Sequence, residues 1–222
     1  MIDGTPVPAA ALGWPDEYRY RDYVLRTRLK EPPLRQPYPR LVGGSGLATL
    51  SPPQVLVSLH SGPLRAFDEL WPYLPGEVTV LLGPDYPRPH NARLLRSSDD
   101  ESTRAAAARG AARALQNGGF LFMTPDGPGT ARVTAELMGI RFSLASGAFA
   151  LARITGSPMV PIALRWRGSA IEVVIGRPIA PGSESQMAAQ LLQWFGEYFR
   201  DNRAQLSALL YLSQRFEYVG AS

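Results

Sequence analysis

The chain carries two histidines, His60 and His90, and no cysteine. His60 ends the run Val55-Leu56-Val57-Ser58-Leu59 and stands before Ser61-Gly62-Pro63. An apolar run stopped by a glycine–proline pair reads as a strand entering a turn, which sets the imidazole at a strand's carboxyl edge. The unperturbed pKa of histidine suits proton transfer near neutral pH. His60 is therefore a candidate general base; a core histidine satisfied by a backbone carbonyl is the alternative. A second polar group follows the apolar run Phe120-Leu121-Phe122-Met123. There Thr124-Pro125-Asp126-Gly127-Pro128-Gly129 forbids regular structure, and Asp126, Thr130 and Arg132 gather just past a strand end. Open α/β sheets bind their ligands at that edge. His90, in a proline-rich loop from Gly83 to Asn91, reads as a surface residue.

Several chemistries are excluded. Without thiols, and with two widely separated histidines, a binuclear or zinc site lacks ligands. Cysteine nucleophiles and disulfides are ruled out with them, which fits a reducing compartment. The serine nucleophile elbow is missing, since Gly43-Gly44-Ser45-Gly46 and Ala145-Ser146-Gly147 have the wrong spacing. Gly44-Ser45-Gly46 also lacks the third glycine of a dinucleotide fingerprint, so no cofactor is expected. The net charge of +4 comes almost wholly from arginine, Lys30 being the one lysine. Such an excess suits an acidic carrier protein, a phosphorylated acceptor or an anionic bilayer; it is too small and too evenly spread for nucleic acid.

The elements that must position these groups alternate between β and α. At 222 residues, 45% hydrophobic and 19% charged, the composition is that of one well-cored globular domain with terminal additions. Residues 1–50 read as a proline-rich arm with a short helix from Asp16 to about Leu29. Its tyrosines, Tyr18, Tyr20 and Tyr23, alternate with arginines, as in a packed arm with a basic face or a segment for a membrane interface. Residues 51–222 read as the domain. Strands are expected at Val55–Leu59, Val78–Leu82, Ala92–Leu95, Phe120–Met123, Met159–Arg165 and Ile171–Ile175, the last two as a hairpin. Helices are expected at Leu64–Leu74, Asp100–Gln116, in the small-residue stretch before Thr155, and at Glu184–Leu212. The stripe Leu191, Leu192, Trp194, Phe195, Tyr198 and Phe199 suits core packing or membrane docking. Neither a membrane-length apolar segment nor a basic-then-apolar leader is visible. The expected location is cytoplasmic, or peripheral at the inner membrane.

Three blocks, VSLHSGP, LQNGGFLFMTPDGPG and SGAFALARITGSPMVPIAL, together resemble the lysophospholipid acyltransferase superfamily over about residues 52–180. The likeness is greatest to its bacterial lipid A biosynthesis (lauroyl/myristoyl) branch, with some to a TPDGP-bearing branch. The resemblance implies a single α/β domain with a mixed central sheet flanked by helices. It implies transfer of an acyl group from an acyl carrier protein or coenzyme A thioester to a hydroxyl or amine. Family members carry an H-x-x-x-x-D/E pair, in which the acid orients the imidazole. His60 matches the histidine, but Arg65 stands at the acid position. Asp68, one helical turn further on, and Asp126, from a neighbouring strand, are the two substitute acids, Asp126 being favoured. Arg132 matches an arginine that the resemblance assigns to a substrate phosphate, with Gly127, Gly129 and Thr130 shaping its loop and Arg65 adding an anion contact. Backbone N–H groups near Gly62 or Gly127 would serve the oxyanion. The stretch from Phe142 to Ala152 either lines an acyl slot or packs on the sheet. A silent acyl- or carrier-binding protein on the same scaffold, motivated by Arg65, and an acyl thioesterase are the alternatives.

Overall fold

A computed structural model describes residues 41–61, 64–83, 89, 91–98, 100–127, 129–137, 140–167, 170–202 and 216–218. Four short strands form a parallel block of the sheet. These are β2 (Gln54–Val57), β3 (Val78–Leu82), β4 (Arg93–Arg96) and β5 (Phe120–Met123), with β4 at the edge and the other three at the centre. All four residues of β2 are buried, as befits a strand covered on both faces. β8 (Met159–Arg167) joins β2 in parallel and turns back as β9 (Ala170–Ile175), an antiparallel hairpin. β1 (Leu41–Val42) closes that edge beside β9, giving the order β1-β9-β8-β2-β5-β3-β4. The sheet is mixed, as expected. A second sheet is antiparallel, in the order β10-β7-β6, from β6 (Arg132–Leu137), β7 (Ile140–Ala145) and β10 (Phe216–Tyr218).

The strand period of two sorts the core into two layers. Val55, Val57 and Leu121 point to one face, where they meet the helices. Ala111 and Leu115 come from α1 (Glu101–Gln116), Phe149 and Ala152 from α2 (Gly147–Thr155), and Leu191, Phe195 and Phe199 from α3 (Glu184–Arg200). The α3 stripe thus belongs to the core. Leu56, Phe120 and Phe122 point to the other face and pack on Phe67, Leu70 and Trp71. Helix ends follow their sequence signals. Asp100 accepts from the Thr103 N–H at 2.7 Å to cap α1, Ser183 and Gln186 form a capping box on α3, and Gly156 ends α2 at φ 68°.

Three expectations change. The helix expected over Leu64–Leu74 is two 3-10 turns, Leu64–Glu69 and Trp71–Tyr73. Pro72 has no N–H for an α-helical bond and disfavours helical backbone at Trp71, so one continuous helix cannot form. The C-terminal helix ends at Arg200 rather than Leu212, where the Asn202 side chain donates to the Tyr198 carbonyl at 2.6 Å; residues 203–215 lie outside the described residues. Within the segment read as irregular, Leu41–Val42 pairs in the sheet and Gly44–Thr49 forms a 3-10 turn. The Asp16–Leu29 helix and His90 lie outside the described residues.

Candidate active site

β2 and β5 pair in parallel with Val57 opposite Met123. The pairing continues past the strands, the Ser58 N–H donating to the Met123 carbonyl at 3.2 Å. His60 lies as far beyond Val57 as Asp126 lies beyond Met123, so the register itself brings the two together. The Asp126 carboxylate grips His60 twice. Oδ2 accepts from the His60 backbone N–H at 2.7 Å, and Oδ1 lies 2.9 Å from Nδ1. A tight turn, with the Ser61 N–H on the Leu59 carbonyl at 2.6 Å, holds His60 at its centre. A carboxylate only accepts, so Nδ1 carries a proton, and in the neutral ring Nε2 is the accepting nitrogen. The Asp126 side chain is 1% exposed and that of His60 23%, so the acid is sealed while the ring reaches the surface.

The glycine-rich loop borders this pair. A Cβ placed on Gly127 would lie 3.5 Å from His60 Cε1, and one on Gly129 would lie 2.7 Å from the Ala145 Cβ. The first is ordinary contact, whereas the second leaves no room for any side chain but glycine's hydrogen. The Gly127 N–H donates to the Thr124 carbonyl at 3.4 Å. That contact closes the turn within the loop; Gly62 lies outside the described residues. Thr130 is exposed at the rim.

Arg132, expected to hold a substrate phosphate, is engaged by the protein. Its Nε donates to Ser143 Oγ at 2.7 Å and its Nη2 to the Ser143 carbonyl. Its Nη1 donates to the carbonyls of Gly127 at 3.3 Å and Gly129 at 3.4 Å. Asp68 accepts from the Trp71 indole N–H at 3.2 Å, and Trp71 stacks on Phe67 with centroids 5.9 Å apart. Arg65 sits in the 3-10 turn Leu64–Glu69, and its side chain lies outside the described residues. Phe142, Leu144, Ala148, Phe149 and Ala152, on the segment weighed as an acyl slot, are packed in the core. Among the described residues no group of three or more His, Cys, Asp or Glu could hold a metal ion, and no helix is long and apolar enough to cross a membrane.

The sequence placed His60 and Asp126 each just past a strand end, but their equal offsets from Val57 and Met123 emerge only with the strand register, because Ser58-Leu59 extended the apolar run before His60. Two features carried no signal in the sequence: the His60 backbone N–H as a second donor to the acid, and Ser143 as the partner of Arg132.

No protein-family model matches this chain, and no curated protein matches it by sequence. Among solved structures it is similar to the 1-acyl-sn-glycerophosphate (LPA) acyltransferase PlsC from Thermotoga maritima. The TM-score is 0.50 at 16% identity, over 85% of this chain and 83% of that chain. The pilus retraction motor PilT with bound ADP gives a TM-score of 0.32 at 12% identity, over 84% of this chain and 66% of that one, too low to bear on the fold. The architecture is thus a single α/β domain with a mixed seven-stranded sheet, similar to the PlsC acyltransferase fold. That is the fold implied by the sequence resemblance to the lysophospholipid acyltransferase superfamily.

Proposed function

We propose that the chain is an acyltransferase that moves a fatty acyl group from an acyl carrier protein or coenzyme A thioester to a hydroxyl or amine. The observation that carries this reading is the 2.9 Å contact of His60 Nδ1 with a sealed Asp126 carboxylate, on a fold similar to that of an acyltransferase. In the proposed step, His60 Nε2 takes the acceptor's proton as its oxygen or nitrogen attacks the thioester carbonyl. The tetrahedral intermediate then expels the thiolate, which receives the proton back from the imidazolium. Asp126 keeps the imidazole in the tautomer that can accept and stabilises its charged form. The three sequence blocks taken together favour the lipid A biosynthesis branch of the superfamily, with some likeness to a TPDGP-bearing branch.

Arg65, at the position where the resemblance implies an acid, favours a second reading: a silent acyl- or carrier-binding protein. One experiment separates the two. Purified protein is incubated with acyl carrier protein and coenzyme A thioesters, with and without cell extract as acceptor source, and acyl loss is followed by mass spectrometry. Loss that needs extract, and that falls by about 10²–10⁴-fold in His60→Ala, is the expected result. Tight carrier binding without turnover would support the silent protein. Release of free fatty acid without extract would identify a thioesterase.

A further inference from the structure

We propose that Arg132, together with Ser143, is a positioning residue that holds the Asp126 loop in place and does not clamp a substrate anion. The inference rests on the role proposed for His60. Guanidinium offers five N–H donors in a fixed fork, and it recognises phosphate or carboxylate through a pair of parallel N–H groups. In this chain the Nε/Nη2 edge faces Ser143, one bond to its hydroxyl and one to its carbonyl. Nη1 donates to the carbonyls of Gly127 and Gly129. All three nitrogens of the guanidinium therefore donate to the protein's own oxygens, and its Nε/Nη2 edge, the pair that would clasp an anion, is taken up by Ser143.

The acceptors explain what the group does instead. The loop after Asp126 is tied at its two ends to the junction of β7 and α2. The Ala145 N–H donates to the Pro125 carbonyl at 2.6 Å, and the Ser146 N–H to the Ala131 carbonyl at 2.9 Å. Between these ties, Arg132 gathers the carbonyls of Gly127 and Gly129, and Gly129 lies against Ala145 closely enough to exclude a Cβ. Arg132 is itself fixed, because it opens β6 opposite Ala145 in the ladder. The chain of contacts runs from the β6–β7 hairpin through the guanidinium to the loop, and from the loop's Asp126 to both the backbone and the ring of His60. Lysine offers one ammonium in place of a rigid fork, so it cannot bridge the two strands and the loop together.

The test uses the full chain with labelled histidine and nitrogen NMR, His60→Gln assigning the signals of the only two imidazoles. In wild type His60 should show a protonated Nδ1 and an unprotonated Nε2. In Arg132→Ala and Arg132→Lys it should shift towards the Nε2-protonated form, and Ser143→Ala should lie between. In the thioester assay Arg132→Ala should lower kcat about 100-fold while acceptor KM stays within about threefold, the signature of misplaced catalytic groups. An unchanged tautomer, with acceptor KM raised about tenfold and restored by Arg132→Lys, would overturn the inference and make Arg132 an anion clamp. Should Arg132→Ala fail to fold, the tautomers of Arg132→Lys and Ser143→Ala decide: a shift supports the strut and the wild-type signal refutes it. A wild type without turnover would remove the acyl-transfer reading alone, since the tautomer is read without substrate.

Discussion

His60 and Asp126 illustrate how a parallel ladder builds a site from residues far apart in sequence. Each loop leaves its strand at the same level, so two side chains with equal offsets arrive together. The bidentate grip on backbone N–H and Nδ1 then removes the ring's freedom to choose its tautomer. Gly129 is the most demanding small residue in this arrangement. A methyl there would meet the Ala145 Cβ at 2.7 Å, with both atoms attached directly to backbone. The loop must yield, and Asp126 moves with it. Gly129→Ala should therefore lower acyl transfer by about 100-fold while the protein remains folded by circular dichroism; full activity would show that the loop's path is irrelevant to the chemistry. Arg132 shows what residue type alone leaves out. Guanidinium advertises its donors in the sequence, whereas the carbonyls it uses belong to glycines whose position only the fold supplies.

At the scale of elements, the helix ends were the most legible. Asp100 before an alanine-rich run, and Asn117-Gly118-Gly119 after it, mark both ends of α1 in chemical terms that need no tertiary information. The Ser102 hydroxyl, then the Thr103 backbone N–H, hold the Asp100 carboxyl down from 3.8 to about 2. The sign follows from linkage: a depressed folded pKa adds stability that is complete above 3.8 and lost as pH falls towards 2. Asp100→Ala should therefore melt below wild type at pH 7, with the gap closing as pH falls through that window. A constant gap would show that the charged cap does not contribute. Less legible were the two 3-10 turns, where apolar spacing suited a helix but Pro72 removed the bond it needed. The pairings of β1 with β9 and of β10 with β7 were also hidden. A strand of two or three residues carries too little pattern to name a distant partner.

Across the whole molecule, the mixed sheet separates two apolar layers, and the site lies where the loops after β2 and β5 emerge from it. The apolar stripe of α3 helps fill one layer, with Leu191, Leu192, Phe195 and Phe199 at 0% exposure. Those four side chains are thus occupied by the fold. The alternation of strand and helix patterns anticipated an α/β domain, and the resemblance of the three sequence blocks implied its mixed sheet; the separate antiparallel sheet was not foreseen. The partner of His60 was harder, because two acids stood at plausible distances and only the strand register separates them. The most direct measurement compares thioester turnover in Asp126→Asn and Asp68→Asn with that in His60→Ala. Asp126 seals against the ring, whereas Asp68 accepts from the Trp71 indole. Turnover in Asp126→Asn should fall to the level of His60→Ala while Asp68→Asn stays close to wild type. Full turnover in Asp126→Asn would contradict a His60–Asp126 catalytic pair.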